Sequence, residues 1–202
     1  MRLLLASASP RRAALLAAAG FAFDVFPVDL DESHHAGEPV EAYVVRLALE
    51  KAAAAARQRT HAIVLGADTT VVAPDGRILG KPGDGDEAGE WLAALGGRAH
   101  RVLTGVALAR GDRQVSAFDE TVVYMRPLGP DEIAWYVASG EWRGKAGGYA
   151  IQGLASRFVE RIEGSYGNVV GLPISTVIRL LRQIGADDRV LTSPDADKPD
   201  NR

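Results

Sequence analysis

The residue types best suited to chemistry gather around one acid. Asp68 stands in the stretch Ile63-Val64-Leu65-Gly66-Ala67-Asp68-Thr69-Thr70-Val71-Val72, between two apolar runs of strand composition. A carboxylate is costly to bury without a partner, so a solvated cleft, a metal or a cation is expected near it. A turn aspartate bonded to its own backbone explains the same position locally. Cations recur at places where solvation alone does not require them. Arg11 and Arg12 follow Ser9-Pro10, an N-cap and first-turn proline, so both fall in the first turn of a predicted helix. Positive charge is disfavoured there by the macrodipole and the unpaired N–H groups, unless an anion binds and the Ser7 and Ser9 hydroxyls, the amides and the guanidinium groups all meet it. A solvated arginine pair is the alternative.

Lys51 follows Val40, Val44 and Leu47 at helical spacing, which places an ammonium on an otherwise apolar face. Such a lysine either snorkels outward or meets an acid or phosphate. Lys81, between Gly80 and Pro82, lies on a stiff loop that presents a cation at small ordering cost, or is an ordinary loop lysine. Residues 28–37 form a polar loop with Asp29, Asp31 and Glu32, whose acid density fits a cation site or a solvated surface. His34 and His35 in that loop lack metal-ligand spacing and read as exposed. In the glycine-rich segment 142–153, an extended reading puts Gln152 on one face with Ala150 and Gly148, leaving room for a ligand beside an amide that both donates and accepts. A hydrogen-bonded sheet residue is the alternative.

Several chemistries lack their parts. Gly164-Ser165-Tyr166-Gly167 is not the nucleophile elbow, and there is no Walker A sequence, H-E-x-x-H, EF-hand loop or G-x-G-x-x-G after the first strand. Asp68-Thr69-Thr70 lacks the second acid of aspartyl-phosphate phosphatases. Acids and cations on loops after strands remain, a set suited to metal-assisted phosphate chemistry without a covalent intermediate.

The elements that must position these residues follow from periodicity and punctuation. Strands are expected at 2–6, 21–26, 63–73, 78–79, 99–110, 114–126 and 158–162, and helices at 10–19, 38–59, 84–95, 130–139 and 173–184. Residues 71–79 read as a hairpin around Pro74-Asp75-Gly76, and 99–126 as two long strands with one exposed face each. Trp135 and Tyr136 read as core. Residues 1–186 are expected to form one α/β domain, and 187–202, rich in Asp, Pro and Ser without periodicity, a disordered tail.

The 202 residues are 47% hydrophobic and 24% charged with a net charge of −3, so no global basic field recruits a nucleic-acid polymer and an anionic ligand must be held by local cations. The absence of cysteine excludes disulfides, thiolate metal sites and a cysteine nucleophile, and fits a reducing, cytoplasmic setting. No apolar run reaches membrane-spanning length. Arg11-Arg12 before an apolar stretch imitates a twin-arginine signal, but the strand at Leu3 to Leu5 ahead of it argues against export.

The order of motifs resembles the Maf-like nucleoside triphosphate pyrophosphatases. The resemblance is carried by Ser7-Ala8-Ser9-Pro10-Arg11-Arg12, Asp31-Glu32, Arg46-Leu47-Ala48 with Glu50-Lys51-Ala52, Gly66-Ala67-Asp68-Thr69, Gly80-Lys81-Pro82, Thr104-Gly105-Val106, the run from Lys145 to Gly153, and Val169-Val170-Gly171-Leu172-Pro173. Gly167 departs from the pattern, where a second aromatic often follows Tyr166. The resemblance implies a two-lobed α/β fold with an elongated mixed β-sheet flanked by helices and a cleft between lobes, usually dimeric. It implies cleavage of a nucleoside triphosphate to the monophosphate and pyrophosphate with a divalent cation, Mg²⁺ or Mn²⁺. By that resemblance Asp68 is the base, directly or through the metal, and Glu32 helps hold the metal. Arg12, Lys51 and Lys81 hold the triphosphate, and Arg11, Thr69 and Gln152 correspond to base-selecting positions. The Ala-Gly-Gly-Tyr-Ala-Ile-Gln form of the late motif resembles the dTTP/UTP branch. A non-catalytic nucleotide-binding regulator of cell division is the alternative, as is a phosphatase releasing orthophosphate.

Overall fold

Leu3–Leu5 (β1) is an apolar run with all three side chains buried, as a strand covered on both faces requires. Ser9 caps the helix Pro10–Ala18 (α1), whose first turn carries no acid, and Gly20 at φ 80° ends the turn after it. The strand Phe23–Val25 (β2) lies parallel to β1, and Ile63–Val72 (β3) lies parallel on the other side of β1, with Leu3 opposite both Phe23 and Ile63. Between them runs the alanine-rich helix Val40–Ala56 (α2). β3 turns back antiparallel into Ile78–Leu79 (β4), with Val71 opposite Leu79, as the hairpin signal predicted. The Asp84 side chain then caps Gly85–Leu95 (α3). Ala99–Arg110 (β5), Arg113–Met125 (β6), the helix Pro130–Ser139 (α4) and Val159–Glu163 (β7) follow, with Tyr166–Val170 (α5) and Ile174–Gln183 (α6) last.

This computed structural model describes residues 3–186, so the expectation for residues 187–202 lies outside the described residues. The architecture is α/β, a mixed seven-stranded sheet in the order β2-β1-β3-β5-β6-β7 with β4 on β3, flanked by helices. The described chain divides into two compact units, the first taking residues 3–68, 105–118 and 172–186, and the second 69–104 and 119–171. The first unit has two apolar clusters, one joining Leu3, Leu5, Leu16 and Leu65 to α6 through Leu180 and Ile184, the other joining Leu4, Val64 and Ala107 to Ala48, Ala52 and Ala55 of α2. The second unit is organised around Trp91, Leu92, Tyr136, Trp142 and Phe158.

Four expectations change. Asp68 lies inside the unbroken strand β3 and not at a turn. β5 is buried continuously over 102–109, because it runs centrally between β3 and β6, whereas β6 alternates as expected. Trp135 is 41% exposed, with only Tyr136 fully buried. Finally, the segment before Gln152 is not extended. Gly147 and Gly148 both take positive φ in a 3-10 turn, Tyr149 is extended, and Gln152 sits exposed in a turn.

Candidate active site

In the first unit, the short loop from β1 to α1 is built by its serines. The Ser7 hydroxyl accepts from the Ser9 N–H at 3.2 Å and from Arg12 Nη1 at 3.0 Å. The Ser9 hydroxyl accepts from the Arg12 N–H at 3.5 Å, so both serines orient Arg12 from backbone and side chain together. Arg12 keeps some exposed surface, but its guanidinium is largely desolvated. Burial lowers its pKa, Arg11 acts in the same direction, and the charges of Asp68 and Glu32 oppose them. Desolvation also lowers Arg11.

Asp68 is placed by the contact of α2 with β3. A Cβ added to Gly66 would lie 2.1 Å from the Ala48 carbonyl oxygen and 2.8 Å from the Ala52 nitrogen, so the helix backbone rests directly on the strand there. Gly66 and Asp68 are two residues apart on β3 and share that face. One turn along α2, Lys51 therefore reaches Asp68, with Nζ 2.7 Å from Oδ1. The same ammonium lies 2.6 Å from Glu32 Oε1. The cation that Asp68 needs is thus the lysine on the apolar helix face, and it serves two carboxylates at once. Lys51 and Asp68 are both buried, while Glu32 is exposed.

The loop carrying Glu32 is held by residues that sequence reasoning did not single out as site residues. The Tyr43 hydroxyl donates to the Glu32 carbonyl at 2.9 Å. Burial, then Asp68 and Glu32, push the Tyr43 pKa up to about 12, so it stays a neutral donor. Arg46 donates through Nε and Nη2 to the two oxygens of Glu38, at 2.7 and 2.9 Å, and through Nη2 to the Ser33 carbonyl at 3.0 Å. The sequence signal for Tyr43 was its place at i, i+4 and i+8 with Leu47 and Lys51. His34 and His35 are exposed as expected.

In the second unit, Thr69 is half-buried and its hydroxyl lies 2.9 Å from the Thr104 hydroxyl. Lys81 is exposed on the loop after β4, and that loop is pinned to the glycine-rich segment by the Gly147 N–H donating to the Gly80 carbonyl at 2.9 Å. Gly147 has no room for a Cβ, which would meet Val71 at 2.8 Å. Beyond it, the His100 ring meets the Tyr149 hydroxyl at 2.8 Å, and the Ala150 N–H donates to the Tyr136 hydroxyl at 3.2 Å. The turn bearing Gln152 thus leaves a segment held at Tyr149 and Ala150. The structure brings Ser7, Ser9 and Arg12 together, gathers Glu32, Lys51 and Asp68 around one ammonium, and ties the loops of Lys81 and Gln152 within the second unit.

Among the described residues no group of three or more His, Cys, Asp or Glu converges as a metal cage. A magnesium-like ion needs no such cage, since it takes one or two carboxylates and completes its shell with water and phosphate oxygens. Glu32 and Asp68, which converge on the Lys51 ammonium, supply carboxylate oxygens of the kind such an ion takes.

A model of the family described as Maf-like protein matches residues 2–184. The chain belongs to this family. Among curated relatives of this Maf-like chain, the dTTP/UTP pyrophosphatase of Anaeromyxobacter sp. is 51% identical over 189 residues, covering 91% of this chain and 90% of its own. That of Symbiobacterium thermophilum is 51% identical over 185 residues, covering 91% and 94%. That of Cereibacter sphaeroides is 52% identical over 186, covering 92% and 96%. Among solved structures, the Staphylococcus aureus Ham1 protein is similar to the Maf-like chain at a TM-score of 0.48 and 12% identity, covering 91% of this chain and 97% of its own.

Proposed function

We propose that the chain is a dTTP/UTP pyrophosphatase, which hydrolyses the bond between the α- and β-phosphates to give the nucleoside monophosphate and pyrophosphate. The observation that carries this reading is the buried Asp68 carboxylate, fixed at 2.7 Å from Lys51 and within the field of a desolvated Arg12, in a chain about half identical to proteins of that name. In this reading Asp68 takes the proton of the attacking water, whose oxygen bonds to the α-phosphorus as the bridging oxygen leaves with pyrophosphate. Arg12, Lys51 and Lys81, with the Ser7 and Ser9 hydroxyls, hold the phosphates. Glu32 and Asp68 would hold a divalent cation, which when bound neutralises phosphate charge and lowers the pKa of a coordinated water. Arg11, Thr69 and Gln152 face the base, and residues 1–186 serve as one catalytic domain. Incubation with dTTP or UTP and Mg²⁺, followed by separation of products, tests the proposal. Pyrophosphate and monophosphate in equal amounts are expected. Orthophosphate would mean a phosphatase, and no turnover of any nucleotide by folded protein would leave only a binding role.

A further inference from the structure

Glu32 reaches the Lys51 ammonium although its own side chain is 41% exposed, so its place is set by its backbone more than by packing of the side chain. Three contacts fix that backbone. The Asp31 carboxylate accepts from the Ser33 N–H at 2.9 Å and from the Ser33 hydroxyl, which folds the chain tightly around Glu32. The Glu32 carbonyl accepts from the Tyr43 hydroxyl at 2.9 Å, and the Ser33 carbonyl accepts from Arg46 Nη2 at 3.0 Å. Tyr43 and Arg46 stand three residues apart on α2, so one helix both holds the Glu32 backbone and presents the lysine that its carboxylate meets. Arg46 also commits its guanidinium to the protein at all three nitrogens. Nε and Nη2 take the two oxygens of Glu38 at 2.7 and 2.9 Å, and Nη1 lies 3.4 Å from both oxygens of Glu50. Such a guanidinium braces the loop at residues 33 and 38, with its charge already matched by carboxylates before any phosphate arrives.

We propose that Arg46, assisted by Tyr43, is a positioning residue that holds the Glu32 carboxylate in place for a divalent cation, and so sets the affinity for that cation and not the rate of the chemical step. This rests on the reading above in which Glu32 and Asp68 hold the cation. The two carboxylates are placed by different means. Asp68 meets Lys51 through the seat of α2 on β3, which Arg46 does not touch, whereas Glu32 depends on the braced loop. A lysine at position 46 keeps the charge, but as a single point it cannot span both Glu38 oxygens and the Ser33 carbonyl. Loosening the loop therefore costs one carboxylate its fixed position and leaves the other unchanged.

The test measures Mn²⁺ affinity without turnover, by electron paramagnetic resonance of the ion on full-length protein held in excess over a UTP analogue with an imido bridge between the α- and β-phosphates. Beside it, the Mg²⁺ concentration for half-maximal turnover of UTP is measured. Arg46→Lys is expected to raise both constants by about 10- to 100-fold, the usual effect of losing a residue that orients a metal ligand, with kcat at saturating Mg²⁺ within about threefold of wild type. Tyr43→Phe, which loses one oxygen, should raise them in the same direction by a few-fold, and it carries the test if Arg46→Lys does not fold. In a Glu32→Gln background, Arg46→Lys should change the Mn²⁺ constant by less than about twofold, since it acts only through Glu32. Wild-type Mn²⁺ affinity in the folded variants overturns the proposal, as does an equal rise with and without Glu32, or a fall in kcat with the metal constants unchanged. Turnover by a wild type that binds no Mn²⁺ overturns it as well, while failure of the wild type on UTP and dTTP alike would bring down the functional reading itself.

Discussion

Lys51 pairs with both Asp68 and Glu32 through one ammonium, and this determines what removing Asp68 should do. In Asp68→Asn, the amide keeps the shape and Lys51 keeps Glu32 as its ion partner, so no buried lysine is left without a countercharge. The amide does not take a proton at neutral pH. Turnover of dTTP or UTP is therefore expected to fall by about 10²- to 10⁴-fold, the usual contribution of a positioned base, with nucleotide affinity in titration calorimetry within a few-fold of wild type. Near-normal kcat in a folded variant would exclude Asp68 as the base. At this scale the sequence was readable wherever a charge contradicted its surroundings. Asp68 amid apolar residues, Lys51 on an apolar helix face and arginines at a helix N-terminus each posed a question whose answer was a partner. Tyr43 and Arg46 posed none, because a tyrosine and an arginine are ordinary where they stand. Their importance lies in atoms brought from elsewhere in the chain, the Glu32 and Ser33 carbonyls.

The contact that lets Lys51 reach Asp68 is made by elements, and glycine makes it. At Gly66 the α2 backbone occupies the space of a Cβ, and at Gly105 on β5 a Cβ would lie 2.1 Å from the Val44 carbonyl oxygen, so α2 is seated on two strands through two glycines. Both obstructing atoms are backbone, and no rotamer relieves them. Gly66→Ala is expected to destabilise the protein by about 1–3 kcal/mol or more, lowering Tm by several degrees. Gly80→Ala, with nothing within 4 Å of its Cβ position, should leave Tm within about a degree. Equal melting temperatures for the two variants would refute the seating of α2 by glycine. Helices and strands were legible to within a few residues because their periods and caps are local. Two stretches were not. α5 is only five residues long, too short for a periodic signal, and Gly147-Gly148 takes a left-handed path that composition alone does not distinguish from a strand.

On the scale of the molecule, the apolar clusters belong to separate units, and the groups that link stability to pH are divided as well. His100 is buried in the second unit, its Nε2 against the Tyr149 hydroxyl and its Nδ1 without a hydrogen-bond partner. Burial lowers its pKa from 6.5 to about 4. The folded state thus holds it neutral while the unfolded chain takes up a proton, so its contribution is complete above about pH 6.5 and is lost as the pH falls toward 4. The linked carboxylates act in another window. Arg46 holds Glu38, and Arg126 holds Glu132, each at about 2, so their contributions persist until the pH drops below about 4.5. For this histidine, urea unfolding should show a loss of about 2 kcal/mol between pH 7 and pH 5. Hydrogen exchange, corrected for its intrinsic pH dependence, should place the loss of protection in residues 69–104 and 119–171. His100→Gln, which retains a donor for Tyr149 but does not titrate, should remove most of the pH-dependent loss. A loss of the same size in that variant would assign the effect to another group. The expected pattern follows from the division of the chain, because a proton taken up by the unfolded form of one unit weakens the packing of that unit first, while the ion pair of Lys51 with Asp68 lies in the other.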